Sequence, residues 1–192
     1  MLEGLLVDLV PYGDRFLKLE HKWYNSEVVF FWTTGDRWFV SEAEIEWWQR
    51  ERREDPARQA NRIVFGVQTK DGTPIGMFGI TRLHPTYRLA MLTAFIGEPD
   101  YWDGGYGTDA LLLVIEYAFA WLDVRKAWLA TMSANPRVVR QMEKVGFTLE
   151  ARQRQSTSAH GQWVDTLFYG LLREEWPGRA EMIDKLHIQT EA

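Results

Sequence analysis

The residues best suited to chemistry in this chain form a glycine-rich run, Trp102-Asp103-Gly104-Gly105-Tyr106-Gly107-Thr108, between an apolar strand ending near Gly97 and an apolar helix expected from Asp109. A turn of this composition exposes several backbone N–H groups, and the following helix adds the positive end of its dipole. Together they can hold a phosphate or pyrophosphate without any basic side chain. A phosphorylated cofactor is the first expectation. Such turns also serve flavins and nicotinamides, and some only reverse the chain. Element order narrows the choice, because a dinucleotide fold opens with its strand-turn-helix unit, whereas here four strands come first and no P-loop lysine follows the glycines. A nicotinamide site is not expected.

Periodicity and punctuation supply the elements around this turn. Leu5 to Pro11 reads as a strand, and Asp14 to Asn25 as a short helix with Phe16, Leu19 and Trp23 on one face. Glu27 to Val40 reads as an aromatic loop. Ser41 and Glu44 form a capping box whose helix buries Ile45, Trp48 and, at its margin, Trp47, and ends at Asp55-Pro56. Ile63 to Thr69 and Pro74 to Leu83 are strands joined at Asp71-Gly72, and Leu89 to Ile96 follows a turn at Pro85. The helix Asp109 to Leu122 leads at once into a strand, Lys126 to Met132, which predicts a right-handed parallel crossover with the glycine turn at the carboxyl end of its first strand. Asn135 is the expected N-cap of the next helix, with Pro136 at its first position and Gly146 just past its end. Thr148 to Gln155 and Trp163 to Leu172 read as strands flanking a polar loop with Ser156, Ser158, His160 and Gly161. One domain is expected over residues 1–176, then a tail over 177–192 with at most one short helix carrying Met182, Ile183 and Leu186.

Composition excludes several classes. The 192 residues are 46% hydrophobic, enough for one core, yet no run approaches the roughly 20 apolar residues of a membrane span. The N-terminus lacks a signal-peptide layout, so a cytoplasmic protein with no membrane partner is expected. With no cysteine there is neither disulfide nor thiolate chemistry, and the four scattered histidines give no metal spacing, so no metal is expected. A net charge of -5 argues against nucleic acid and favours cationic over anionic substrates. Ten tryptophans, seven of them from Trp23 to Trp121, suit either a pocket or a core.

The ordered set Trp23-Tyr24-Asn25, Asp71-Gly72-Thr73-Pro74-Ile75-Gly76, Ile96-Gly97, Tyr101 to Ala110, Asn135-Pro136-Arg137, Glu143-Lys144-Val145-Gly146-Phe147, Gly161, Trp163, Asp165 and Leu172 to Trp176 resembles the GNAT N-acetyltransferase superfamily, in its ribosomal-protein and polyamine acetyltransferase branch. The resemblance implies an α+β fold: a mostly antiparallel sheet of about seven strands with a splayed parallel pair, flanked by about four helices. It implies acetyl-CoA with its pantetheine along Ala94, Phe95 and Ile96 and its pyrophosphate on Trp102, Asp103, Gly104, Gly105, Tyr106, Gly107 and Thr108. Asn135, Arg140 and Lys144 are further candidates for the cofactor. The family's Gln/Arg-x-x-Gly-x-Gly/Ala pattern falls on Trp102, Gly105 and Gly107. An N-acetyltransferase acting on a small amine, an antibiotic or a peptide N-terminus follows, with a homodimer as its possible assembly. The acceptor side is expected from Asn25, Glu27, Trp32, Trp38, Met91 and Thr93.

The reaction needs an alkylammonium, with pKa near ~10, to lose a proton before attacking the thioester. Three positions that are polar in many members are apolar here: Met142 where a tyrosine acts as thiol acid, Val138 for a serine, and Met91 for a glutamate. Chemistry then rests on positioning, or on an acid and base drawn from His84, Asp165, Glu27, Asp36 and His160. His84 also reads as a turn residue and Asp165 as an anchor of the last hairpin. A CoA-binding sensor without turnover and a transferase for longer acyl chains are the alternatives.

Overall fold

The computed structural model describes residues 1–26, 29, 39–54 and 60–189. Among these, eight strands form one sheet: β1 Leu2–Glu3, β2 Val7–Pro11, β3 Ile63–Thr69, β4 Pro74–His84, β5 Leu89–Ile96, β6 Lys126–Met132, β7 Thr148–Ala159 and β8 Gln162–Leu172, in the order β1-β2-β3-β4-β5-β6-β8-β7. Every neighbouring pair is antiparallel except β5 and β6. The short β1 is one strand more than the sequence predicts. Helices are α1 Asp14–Leu17, α2 Glu20–Asn25, α3 Glu42–Glu54, α4 Tyr106–Ala120, α5 Pro136–Val145 and α6 Arg179–Leu186.

The β5–β6 pairing is short. Only Leu89, Ala90 and Met91 pair, with Lys126, Ala127 and Trp128. Beyond them β5 stays with β4 as far as Ile96, and β6 stays with β8 as far as Met132, so the two strands part into a cleft. The two faces of the sheet are covered differently. Val67, Phe78, Ile80 and Leu92 face α4, which buries Ala110 to Ile115 in the main core. Gly66 faces Phe16 of α1, and Phe95 meets Trp23 of α2 edge to face, so α1 and α2 cover the opposite side.

Local chemistry explains several boundaries. Gly72 at φ +88° closes the β3–β4 hairpin, held by Thr73 N–H donating to the Asp71 carboxylate at 3.2 Å and to the Thr69 hydroxyl at 3.1 Å. The Ser41 box is formed, with Glu44 N–H on the Ser41 hydroxyl at 3.2 Å and Ser41 N–H on the Glu44 carboxylate at 2.9 Å. Asn135 Oδ1 accepts from Val138 N–H at 3.3 Å, and Gly146 at φ +98° ends α5.

Four expectations are corrected. The helix expected over Asp14 to Asn25 is two helices separated at Lys18 and Leu19. Helix α4 begins at Tyr106 rather than Asp109, because Gly105 at φ +87° already turns the chain and its carbonyl accepts from Asp109 N–H at 2.9 Å. The polar loop at Ser156 belongs to β7, and the reversal is the pair His160 and Gly161, both at positive φ. Trp47 is 53% exposed while Ile45 on the same helix is buried. In the segment expected as a tail, α6 buries Met182 in the main core.

Candidate functional site

A cavity of about 1420 Å³ occupies the cleft between β5 and β6. It is lined from both faces of the sheet: Leu92, Ala94 and Leu111 on the α4 side, Met77, Met91, Thr93 and Phe95 on the other. It therefore passes through the gap left where the strands part. One end is walled by the glycine turn and α5, the other by Tyr24 and Arg62.

The first wall is largely backbone. Gly97 N–H donates to Ile75 C=O at 2.7 Å, so antiparallel alternation assigns the polar groups of Phe95 and Thr93 to β4. The N–H groups of Ala94 and Ile96 then point to the side β6 has left. Ile96 C=O fits this direction, accepting from Trp102 Nε1 at 2.9 Å. That bond ties the glycine turn to the end of β5. The Trp102 ring in turn carries the Arg137 guanidinium, 4.6 Å from its centroid, and Arg137 reaches Asp103 at 3.5 Å. A tryptophan at the first position of the pattern thus places a cation beside the turn.

No side chain caps α4, so its first N–H groups are available to a ligand. A Cβ on Gly107 would lie 3.6 Å from Ile96 and 3.9 Å from Gln141, ordinary contact distances. The protein itself leaves room at that position, and glycine keeps the backbone bare toward the cavity. Behind the turn, Asp109 is fully buried and accepts from Leu6 N–H at 2.8 Å, Val7 N–H at 3.2 Å and Arg179 at 2.9 Å. This carboxylate joins β2, α4 and α6 into one support. From α6 and the residues after it, Lys185 and His187 reach the cavity.

The second wall is built from side chains. Glu20 is 1% exposed, and its carboxylate accepts from Tyr12 at 3.0 Å, Gln49 at 3.0 Å and Arg52 at 2.9 and 2.5 Å. This carboxylate unites β2, α2 and α3. Tyr24 stands between Trp48, 5.7 Å away, and Phe95, 6.0 Å away. Burial first, and then the Glu20 charge, raise its hydroxyl above the usual tyrosine range, while Arg52 opposes them. The phenol stays protonated at neutral pH, a donor rather than a base.

Of the cofactor residues expected from the sequence, Ala94, Phe95, Ile96, Trp102, Asp103, Gly104, Gly105, Gly107, Thr108, Asn135, Arg140 and Lys144 line the cavity. Tyr106 turns into the core, edge-on to Tyr101 at 5.0 Å. Among the acceptor residues, Met91 and Thr93 line it. Asn25 does not: its amide donates to His21 C=O and Val40 C=O and accepts from Val40 N–H, pinning residue 25 to residue 40. Glu27, Trp32, Trp38 and Asp36 lie outside the described residues.

His84 stacks on Tyr87 in the turn before β5, at the opposite end of that strand from the glycine turn. Asp165 holds the β7 irregularity, accepting from Gln155 N–H at 2.9 Å and pairing with Arg152 at 3.3 Å. Neither reaches the cavity, and nor does His160, in the hairpin turn. Of the four histidines only His187 lines it. Met142 is 1% exposed and packs in the core, so no phenol stands on α5 at that position. Arg137, Tyr24, Arg62, Lys185 and His187 were missed. Arg137 follows the Asn135-Pro136 signal, whereas the others carry no local signal.

Comparison with known proteins matches the sequence to a family. The profile described as "Acetyltransferase (GNAT) domain" matches residues 13–148. The chain is 28% identical over 108 residues to YdaF of Bacillus subtilis (strain 168), provisionally named a ribosomal N-acetyltransferase, covering 56% of this chain and 58% of that protein. It is 26% identical over 97 residues to the spermidine N(1)-acetyltransferase of Escherichia coli (strain K12), covering 50% of this chain and 52% of that protein. These matches span little more than half the length of those curated relatives. The crystal structure of a spermidine N-acetyltransferase from Vibrio cholerae, in complex with CoA and spermine, superposes with a TM-score of 0.78 over 88% of this chain and 97% of that one, at 19% identity. At that identity the likeness is one of fold.

Proposed function

The chain belongs to the GNAT acetyltransferase domain family, and on that premise we propose that it transfers an acetyl group from acetyl-CoA to a primary amine by direct attack in a ternary complex. One observation carries the reading: a single cavity crosses the sheet where β5 and β6 part, with the uncapped glycine turn on one side and a separate pocket on the other. Two reactants entering from opposite faces meet in that gap, and alignment of this kind supplies much of an acyl-transfer barrier.

Acetyl-CoA supplies the acetyl group as a thioester. The residues present suit it: the bare N–H groups of the glycine turn and the α4 N-terminus for the pyrophosphate, Arg137, Arg140 and Lys144 as nearby cations, and the outward N–H groups of Ala94 and Ile96 along the strand. The two strand N–H groups are also the available donors toward a carbonyl oxygen in the cleft. With no cysteine in the chain, a thiol cannot carry the acetyl group between the reactants.

Proton transfer rests on little. Among the described residues, the carboxylates lining the cavity are Asp103 and Glu143, both on the turn-and-α5 side. Tyr24 cannot act as a base. On the described residues alone, the acceptor amine enters neutral or loses its proton to solvent, and the protein contributes position. The exposed edge strand β7, with Trp163 on the same hairpin 70% exposed, is the surface through which a second copy would pair.

The test is thiol release from acetyl-CoA with polyamines, aminoglycosides, amino acids and N-terminal peptides, with CoA binding followed by calorimetry. Release with one acceptor class supports the reading. Binding without release supports a CoA sensor, and release only with longer acyl donors supports a different acyl chain. No binding overturns the cofactor site.

A further inference from the structure

The acceptor end of the cavity carries a charge that the acetyl transfer itself does not use. Arg62 stands one residue before β3, on the sheet face of Val64 and Gly66, the face that also carries Met77, Thr93 and Phe95. It lines the cavity with them. Its Nε is buried and makes no hydrogen bond. A buried guanidinium N–H without a partner is costly, and native structures satisfy nearly all such groups.

Glu20, whose charge acts on it, cannot serve it. Both oxygens of Glu20 are occupied by Tyr12, Gln49 and the two-pronged contact from Arg52. Among the described residues, Arg52 and Arg62 against Glu20 leave one positive charge in excess at this end, and no carboxylate lines the acceptor side. Burial first, and then the Arg52 charge, pull the Arg62 guanidinium below its ordinary pKa, a shift that an anion would reverse. A polycation meets repulsion here. An oxyanion meets a planar fork suited to a carboxylate.

Building on the acetyltransferase reading, we propose that Arg62 receives a carboxylate on the acceptor, so that the substrate is an amine bearing a carboxylate, an amino acid or its close analogue, and not a polyamine. The apolar floor of Met77, Met91 and Phe95 then accommodates the carbon skeleton, and the amine points to the gap between β5 and β6. This reverses the preference for cations that the net charge of -5 suggests: the local charge of the wall, not the total, faces the acceptor.

Three probe series of equal carbon length test this: ω-amino acids from glycine upward, the matching alkylamines, and the matching diamines. In thiol-release assays the wild-type protein is expected to favour one amino acid over its alkylamine and diamine by roughly tenfold to a hundredfold, the scale of a charge-assisted contact. In Arg62→Met that ratio falls toward one, and Arg62→Lys restores part of it through KM rather than kcat. Preference for the diamines, or an equal loss across all three series in Arg62→Met, overturns the proposal. Calorimetry with the same probes in the presence of CoA needs no turnover. If thiol is never released, the catalytic reading fails while tighter binding of the amino acid, abolished in Arg62→Met, still upholds the anion receptor. Equal binding of the three series refutes it.

Discussion

The two walls of the cavity are made differently. The wall proposed for the cofactor is backbone: a glycine turn, a helix start and the unpaired side of one strand, braced by Asp109 with two N–H groups and one arginine. The wall proposed for the acceptor is side chain: Tyr24, Arg62 and Thr93, braced by Glu20 through Tyr12, Gln49 and Arg52. Backbone presents the same atoms whatever the residue types around it, and so suits an invariant ligand. Side chains differ with each substitution and suit a wall whose partner varies.

The contrast can be broken in four places. The largest effect is on pH. With no described base on the acceptor wall, kcat/KM should climb about tenfold per unit from pH 7 to 9, following the neutral fraction of an amine with pKa near ~10. A flat profile over that range would instead reveal a base of the protein at work. Next, Glu20→Ala leaves Arg52 buried without its partner and should cost about 3–5 kcal/mol in denaturant unfolding. Enough folded protein should remain at low temperature to show near-native CoA affinity, since the opposite wall does not use this residue. Loss of CoA affinity there would mean that the walls are not independent.

Gly105→Ala reverses the comparison. It forces a side chain into φ +87°, with Leu6 Cδ1 at 3.3 Å from the new Cβ, and should cost about 1–2 kcal/mol. CoA affinity should fall roughly tenfold by calorimetry, because the strain is local to the turn. The smallest effect is expected from His84→Ala and Asp165→Asn: each should leave kcat within about twofold, since neither side chain reaches the cavity and substitutions away from working contacts are close to neutral. A large loss in kcat at either position would place the chemistry elsewhere.

The same division explains what the sequence revealed. Strands β3, β5 and β6 have the boundaries read from apolar runs and flanking turns, and Asn135, Pro136 and Gly146 bound α5 as their capping chemistry demands. The cofactor wall was legible because glycine and cap signals are local. The start of α4 was misplaced because Tyr106 to Thr108 read as turn, although Gly105 alone supplies the positive φ. The polar stretch through Ser158 reads as loop, yet its pairing with Trp163 and Val164 makes it strand, tertiary pairing overriding propensity. Glu20, Tyr24, Arg52 and Arg62 meet only after α2, α3 and the residue before β3 have packed together. No spacing in the chain announces that.

The most direct test of a shared cavity serving both reactants is a two-substrate initial-rate experiment, varying acetyl-CoA at several fixed concentrations of the best acceptor. Direct transfer in a ternary complex predicts double-reciprocal lines that intersect to the left of the ordinate. Parallel lines would show that the acetyl group is first parked on the protein, and would contradict the account.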